Sequence, residues 1–328
     1  MKDKSYLIGP FHINFDITNR CNLRCLHCYN YSGEDFLNDN EMNDEEVLNL
    51  IDDIILLKPF SMCLCGGEPL LRKQLVYRIA EMLSKNNIII NLVSNGILMD
   101  EDTAGTLKSV GINAIQISLD GMEKSHDKLR NKEGVFIKAI NALEILSSKI
   151  PTSVAFTPTR WNIDDLDEVF EVARGKGVNS IGIQYMMPMG RGNENIDTVM
   201  PTETDYRRLI SKIYSLKKRI AEENLSIDIE WNDPIEHFYH ISEREKWYPQ
   251  LHIRSNGNVT ISPYLPIYFG NVKTDGLLKL CSNGLLQVYQ NDQFVDICTK
   301  IRCLNDLTLN GLNLPSFCKE KDIYLESI

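Results

Sequence analysis

The stretch Asn19-Arg20-Cys21-Asn22-Leu23-Arg24-Cys25-Leu26-His27-Cys28 follows a short alternating run at 12–18 and brings three cysteines into one tight loop. Thiolates this close together read as ligands of an iron–sulfur cluster. A cubane has four irons and normally takes four cysteine thiolates, yet the next cysteine is Cys63, 35 positions beyond Cys28. One iron is therefore left open, able to chelate a small molecule through an amine and a carboxylate. Structural zinc and unliganded core thiols are the competing readings. Zinc prefers paired C-x2-4-C knuckles closed to four ligands, and neither a second knuckle nor an H-x3-5-H pair lies nearby.

A second motif, Cys65-Gly66-Gly67-Glu68-Pro69-Leu70-Leu71, closes the apolar run 60–64 and precedes an amphipathic stretch. Adjacent glycines at a strand's end let the backbone take positive φ and approach a ligand closely. Other β-branched runs end in polar residues in the same way: Ser94-Asn95-Gly96 after 88–93, and Ser118-Leu119-Asp120-Gly121 after 115–117, with His126-Asp127-Lys128-Leu129-Arg130 beyond. The C-x3-C-x2-C spacing, with His27 before the last cysteine, and the Gly-Gly-Glu-Pro turn together resemble the signature of the radical S-adenosylmethionine (radical SAM) enzymes. The resemblance implies one [4Fe-4S] cluster on Cys21, Cys25 and Cys28, and S-adenosylmethionine (SAM) as the second cofactor. It also implies that carbonyls at Gly66 and Gly67, helped by the Glu68 carboxylate, hold the methionyl ammonium. Ser118 and Arg130 resemble contacts to the SAM carboxylate, and Asn95 a neighbour of the methionine or ribose. Gln184 and Arg191 fall around the end of a sixth strand, where the family places adenine and substrate contacts. Ser and Asn after strands are equally ordinary turn and cap residues. The implied chemistry is reductive cleavage of SAM to a 5′-deoxyadenosyl radical that takes hydrogen from an unactivated carbon.

Strands are expected at 12–18, 60–65, 88–93, 114–119, 152–157 and 180–186, alternating with helices at 44–57, 73–85, 101–110, 135–148 and 163–174. Asn43 and Glu46 form a capping box for the first helix. Repeated βα units build a parallel sheet with helices outside. The expected fold class is α/β, and six such units resemble the family's partial (β/α)6 TIM-type barrel, over residues 1–200. Every motif falls at the carboxyl ends of the strands, where barrels place their ligands. Residues 201–328 read as a helical linker and a small α+β extension. Thr202 caps a helix over 203–223 whose Tyr206, Leu209, Ile210, Ile213, Leu216 and Ile220 form one apolar stripe. Short strands follow at 227–231, 250–254 and 259–262, the last two joined by the hairpin signal Asn256-Gly257.

The run 251–264, with 269–272, resembles the SPASM/twitch extension of peptide-modifying radical SAM enzymes. There a cysteine follows the proline and ligates an auxiliary cluster, whereas Tyr264 follows Pro263 here. Cys281, Cys298, Cys303 and Cys318 stand 17, 5 and 15 positions apart and are expected as core or free thiols, a rearranged cluster on those four being the alternative. Without an auxiliary electron acceptor a redox-neutral outcome such as epimerisation, or return of the electron to the first cluster, is favoured, and epimerisation needs a hydrogen donor. Cys65, sharing a strand face with Cys63, and Cys281 are the candidates, with buried packing the alternative for each. The expected substrate is a ribosomally made peptide, epimerised or crosslinked. Small-molecule chemistry of the tetrapyrrole or cofactor type is the alternative; an iron–sulfur electron carrier, the third reading, has no use for Gly66-Gly67-Glu68. The few residues before Cys21 leave no room for a fused peptide-recognition domain, so a separate leader-recognition protein or the C-terminal region is expected to bind a leader. Glu236, His237 and His240 read as packing or capping residues rather than a metal site.

Composition bounds these readings. A chain of 328 residues can bury one large core and a smaller appendage. The 35 Lys+Arg against 45 Asp+Glu give −10, which repels phosphate backbones and argues against nucleic acid. No charged n-region leads into an apolar h-region, and no run reaches a membrane span. Nine cysteines in such a chain read as ligands or reduced thiols. A cytoplasmic location is expected, with a flavodoxin- or ferredoxin-type electron donor.

Overall fold

The computed structural model describes residues 9–34, 40–243, 250–265 and 267–307, with the backbone of Ile323–Tyr324. Its strands are β1 (His12–Thr18), β2 (Ser61–Gly66), β3 (Ile89–Ser94), β4 (Ala114–Ser118), β5 (Thr152–Phe156), β6 (Ser180–Gln184), β7 (Asp228–Asn232), β8 (Gln250–Ile253), β9 (Val259–Thr260), β10 (Ile267–Tyr268) and β11 (Ile323–Tyr324). The helices are α1 (Asp44–Leu57), α2 (Lys73–Lys85), α3 (Glu101–Ser109), α4 (Glu123–Arg130), α5 (Val135–Ser147), α6 (Leu166–Gly175), α7 (Gly190–Glu194), α8 (Ile196–Val199), α9 (Glu203–Glu223), α10 (Pro234–Ser242), α11 (Val272–Asp275), α12 (Leu277–Ser282) and α13 (Asp292–Thr299). No described helix is long and apolar enough to cross a membrane. The architecture is mixed α/β on parallel strands. The chain forms two compact units, one of Met1–Arg20, Glu34–Asn91 and Ile235–Ile328, the other of Cys21–Gly33 and Leu92–Pro234.

In the first unit β2 lies parallel to β1, from His12↔Ser61 to Asp16↔Cys65, and the register slips between Asp16 and Thr18. On the other side of β1 lies β8, also parallel, with His12↔Gln250 and Phe15↔Ile253. Strand β9 returns antiparallel through the expected Asn256-Gly257 turn, where Gly257 takes φ +91°. The 250–254 segment is thus a strand of the parallel sheet as well as half of a hairpin. Successive strand side chains point to opposite faces. Ile13, Phe15, Ile17, Met62 and Leu64 are wholly buried on one face, each contributing about 1.5–3 kcal/mol by leaving water. The other face carries Asn14, Asp16, Cys63, Cys65 and His252. Helix α1 starts at the expected capping box: Asn43 Oδ1 accepts from Glu46 N at 2.9 Å and Glu46 Oε2 from Asn43 N at 2.8 Å.

In the second unit β4, β5, β6 and β7 run parallel in that order. Ile115, Ile117, Val154, Ile181, Ile183 and Ile229 are wholly buried, and the opposite face carries Gln116, Ser118 and Gln184. Strand β7, read from sequence as part of the extension, pairs instead with β6. Its exposed Asp228, Glu230 and Asn232 suit an edge, where charge blunts unpaired backbone. Helix α9 opens on a second capping box, Thr202 with Asp205. Its buried stripe is Leu209, Ile213 and Leu216, while Ile210 is 50% exposed, one residue off the stripe and turned away from the core.

Candidate active site

Gly66 and Gly67 end β2 in a turn that no other residue fits. Gly66 has φ +123°, and a Cβ there would lie 2.3 Å from the Thr18 carbonyl oxygen; at Gly67 it would lie 2.1 Å from that of Arg20. Gly67 N donates to Thr18 O at 2.7 Å and Glu68 N to Arg20 O at 2.8 Å. With both donors engaged, acceptors are what this turn has to offer a ligand, and acceptors suit an ammonium group. Glu68 is fully buried, and its Oε1 accepts from Leu70 N at 3.0 Å, capping the short 3-10 turn Pro69–Arg72. Just upstream, Glu41 accepts from Thr18 Oγ1 and from Asn19 N and pairs with Arg20.

On the polar face of the same unit, Cys65 Sγ donates to Asp16 Oδ1 at 3.5 Å, and Asp16 Oδ2 lies 2.9 Å from His252 Nε2. Asp16 and His252 are buried, and His252 Nδ1 has no partner among the described residues. Burial alone pushes Asp16 up, but the charges of His252 and Arg254 and bonds from His252 and Cys65 hold it below its ordinary value. The Cys65 thiol is held well above its ordinary value, first by its bond with Cys63, then by burial and the Asp16 charge. Cys65 is therefore a protonated thiol at neutral pH. Sequence reading had singled out Cys65 but missed Asp16 and His252, 236 positions apart. The signal was a polar residue at an alternating position in each apolar strand.

In the second unit Cys21, Cys25 and Cys28 gather with Leu23, Ile97 and Val135 in one apolar cluster. Among the described residues no three His, Cys, Asp or Glu side chains converge on a single-ion site, these thiols included. Thiolates that each bind a different iron do not need to converge on one point. Burial pushes Cys25 up to about 11, partly offset by Arg130, so a bound metal must displace its proton. Arg130 Nη1 donates to Cys25 Sγ at 3.7 Å, and Nη2 pairs with Asp120. Arg130 Nε is buried with no hydrogen-bond partner among the described residues, a vacant donor suited to a carboxylate. The donor set thus fits both a trithiolate cluster and an anionic ligand beside it.

Asp120 is held as tightly. Its Oδ1 accepts from Thr157 N at 2.9 Å, its carbonyl from Asn162 Nδ2 at 2.9 Å, and its N–H donates to His126 Nδ1 at 3.0 Å. His27 Nε2 stands 3.6 Å from Asp120 Oδ2, and burial lowers the His27 pKa to about 4 against the pull of that carboxylate. Arg191 is buried; its Nε donates to Cys25 O at 3.0 Å and its Nη2 to Ser32 O at 2.9 Å, so it braces the cysteine loop. A Cβ on Gly190 would lie 2.5 Å from Cys28 O. Asn95 Nδ2 donates to Asn22 Oδ1 at 2.8 Å, and its Oδ1 accepts from Ile97 N. Ser118 and Gln184 are half-buried at the carboxyl ends of β4 and β6. The bracing roles of Asp120 and Arg191 were invisible in the sequence, where Asp120 had no assigned partner and Arg191 stood as a candidate for adenine or substrate rather than for the cysteine loop.

The later cysteines are dispersed. Cys281 lies on α12 near Asp53 of α1 and is pushed up to about 12, chiefly by burial. Cys298 is buried on α13, Cys303 is exposed, and Cys318 lies outside the described residues. Tyr264, at the position of the missing ligand, donates its N–H to Ser262 Oγ at 3.3 Å.

Residues 15–173 match the radical SAM superfamily model. The chain therefore carries a radical SAM domain. It is 28% identical over 212 residues to the AdoMet-dependent heme synthase of Methanosarcina barkeri, covering 64% of this chain and 59% of that protein. It is 27% identical over 321 residues to the sporulation killing factor maturation protein SkfB of Bacillus subtilis, covering 96% and 73%. The structure of anSMEcpe with bound AdoMet and Cp18Cys peptide superposes with a TM-score of 0.70 at 16% identity, covering 97% of this chain and 93% of that one, a likeness of fold. The chain spans 53–59% of the length of several curated relatives it matches, the heme synthase among them.

Proposed function

We propose that this protein reductively cleaves SAM and abstracts hydrogen from a ribosomally made peptide, epimerising or crosslinking it. One observation carries the substrate class: the similarity to SkfB runs over 96% of the chain, whereas that to the heme synthase stops at 64%. In this reading Cys21, Cys25 and Cys28 hold the [4Fe-4S] cluster. Gly66, Gly67 and Glu68 receive the SAM ammonium, and Ser118 and Arg130 its carboxylate, with Asn95 and Gln184 completing the cofactor contacts. Together the two cofactors supply one-electron chemistry able to break an unactivated C–H bond.

The fate of the substrate radical rests with the chain's own residues. Cys65, kept protonated by its bond with Cys63, by burial and by the Asp16 charge, donates a hydrogen atom to the substrate carbon: its S–H bond breaks and a C–H bond forms. The thiyl left behind regains one electron from a flavodoxin- or ferredoxin-type donor and one proton through Asp16. Cys281, on the α12 surface of α1, is the weaker donor candidate. A separate leader-recognition protein completes the peptide reading.

The test is mass spectrometry of a candidate precursor peptide co-expressed with the protein in deuterated water. One deuterium at an α-carbon, lost in Cys65→Ala, supports epimerisation; loss of two hydrogens supports crosslinking; an unmodified peptide contradicts the substrate class. The heme synthase similarity favours a second reading, a tetrapyrrole substrate, which a Soret-band titration with iron-coproporphyrin tests.

A further inference from the structure

Arg130 serves three directions at once. Its Nη1 donates to Cys25 Sγ at 3.7 Å, its Nη2 pairs with Asp120, and its Nε is a buried donor without a partner among the described residues. Both Arg130 and Asp120 are almost wholly buried, so their charges act with little screening from water. Asp120 cannot move to follow the arginine, because Thr157, Asn162 and His126 fix its carboxylate, carbonyl and N–H. The backbone of the helix that carries Arg130 is tied to the cysteine loop itself, through the bond from Leu26 N to Leu129 O at 2.9 Å. A guanidinium pinned in this way is not free to turn wholly toward a ligand. It stays on the thiol.

Resting on the function proposed above, we infer that Arg130, held by Asp120, is a positioning residue that sets the reduction potential of a cluster bound at Cys25. Hydrogen bonds and positive charge at a ligating sulfur stabilise the reduced, more negative cluster and raise its potential. The vacant Nε leaves the same guanidinium able to meet an anionic ligand, so Arg130 joins two tasks that the family resemblance assigned only as one.

The test uses the full chain, reconstituted anaerobically with iron and sulfide, and reads the midpoint potential by EPR-monitored titration with iron counted in parallel. Arg130→Gln is expected to load about four irons, as a cubane requires, and to titrate at a more negative potential than the wild type. Because Arg130→Gln leaves Asp120 buried without its partner, the double variant Arg130→Met/Asp120→Asn is measured beside it, removing both charges together. It too is expected to shift negative, having lost the N–H to Cys25. Arg130→Lys keeps the charge but not the fork and is expected to fall between. A midpoint unchanged in whichever of these variants loads its cluster overturns the inference while leaving the proposed function standing. A wild-type chain that binds no EPR-active cluster overturns both.

Discussion

At Gly67 a single methyl group is too much: a Cβ would press to within 2.1 Å of backbone oxygen, which no side-chain rotation can relieve. Gly67→Ala is expected to cost about 1–3 kcal/mol or more, read as a lower urea midpoint, and to abolish SAM binding in an equilibrium dialysis assay. The Cys65 environment makes a second prediction. Removing the Asp16 charge lowers the thiol pKa, so Asp16→Asn is expected to react faster than wild type with iodoacetamide at pH 8, by about threefold for each unit the thiol pKa falls, the roughly tenfold gain in thiolate being partly offset by its lower nucleophilicity; peptide mapping identifies the modified cysteine. An unchanged rate contradicts the carboxylate's hold on the thiol. At this scale the motifs were legible because glycine pairs and close cysteines each have few physical uses. The partners of Cys65 and Arg130 were not, since Asp16, His252 and Asp120 reach their positions through strand pairing and helix placement that local spacing does not encode.

Among the elements, caps declared themselves most clearly. Asn43 and Thr202 each satisfy donors that the first helical turn leaves unpaired, and Asn43→Ala or Thr202→Ala is expected to cost about 1 kcal/mol, measured by denaturant unfolding. No loss in either would contradict the bonds seen at those termini. Helix α4 escaped sequence reading because Glu123–Arg130 is short and mostly charged, so its apolar stripe is reduced to Leu129 beside the buried His126 and Arg130. Strands β7 and β8 were legible as strands but not as members of the parallel sheet. Their partners, β6 and β1, lie far off in sequence, and a short strand's composition does not say which neighbour it will join.

Across the whole molecule, buried ionisable groups make stability depend on pH. His126 falls from an ordinary 6.5 to about 4, chiefly through burial and the Arg130 charge. Between those values the unfolded chain binds the extra proton, so the stability His126 contributes is full above about pH 6.5 and is lost as pH falls toward 4, by about 3 kcal/mol at most. His27, lowered to about 4 in the same way, adds its own loss in the same window. Asp16 and Asp120, both held below their ordinary value, add a further loss at still lower pH. Urea unfolding of the metal-free chain at stepped pH checks this, with His126→Gln expected to reduce the slope between pH 4 and 6.5 and leave the part that belongs to His27. The α/β order was legible along the chain because apolar runs and capped helices alternate regularly, whereas the two compact units interleave segments distant in sequence. The most direct test of the central claim is release of 5′-deoxyadenosine from SAM by the anaerobically reconstituted protein under dithionite. The wild type is expected to form it and Cys25→Ala to form none; a wild type that holds its iron yet forms none would contradict the account.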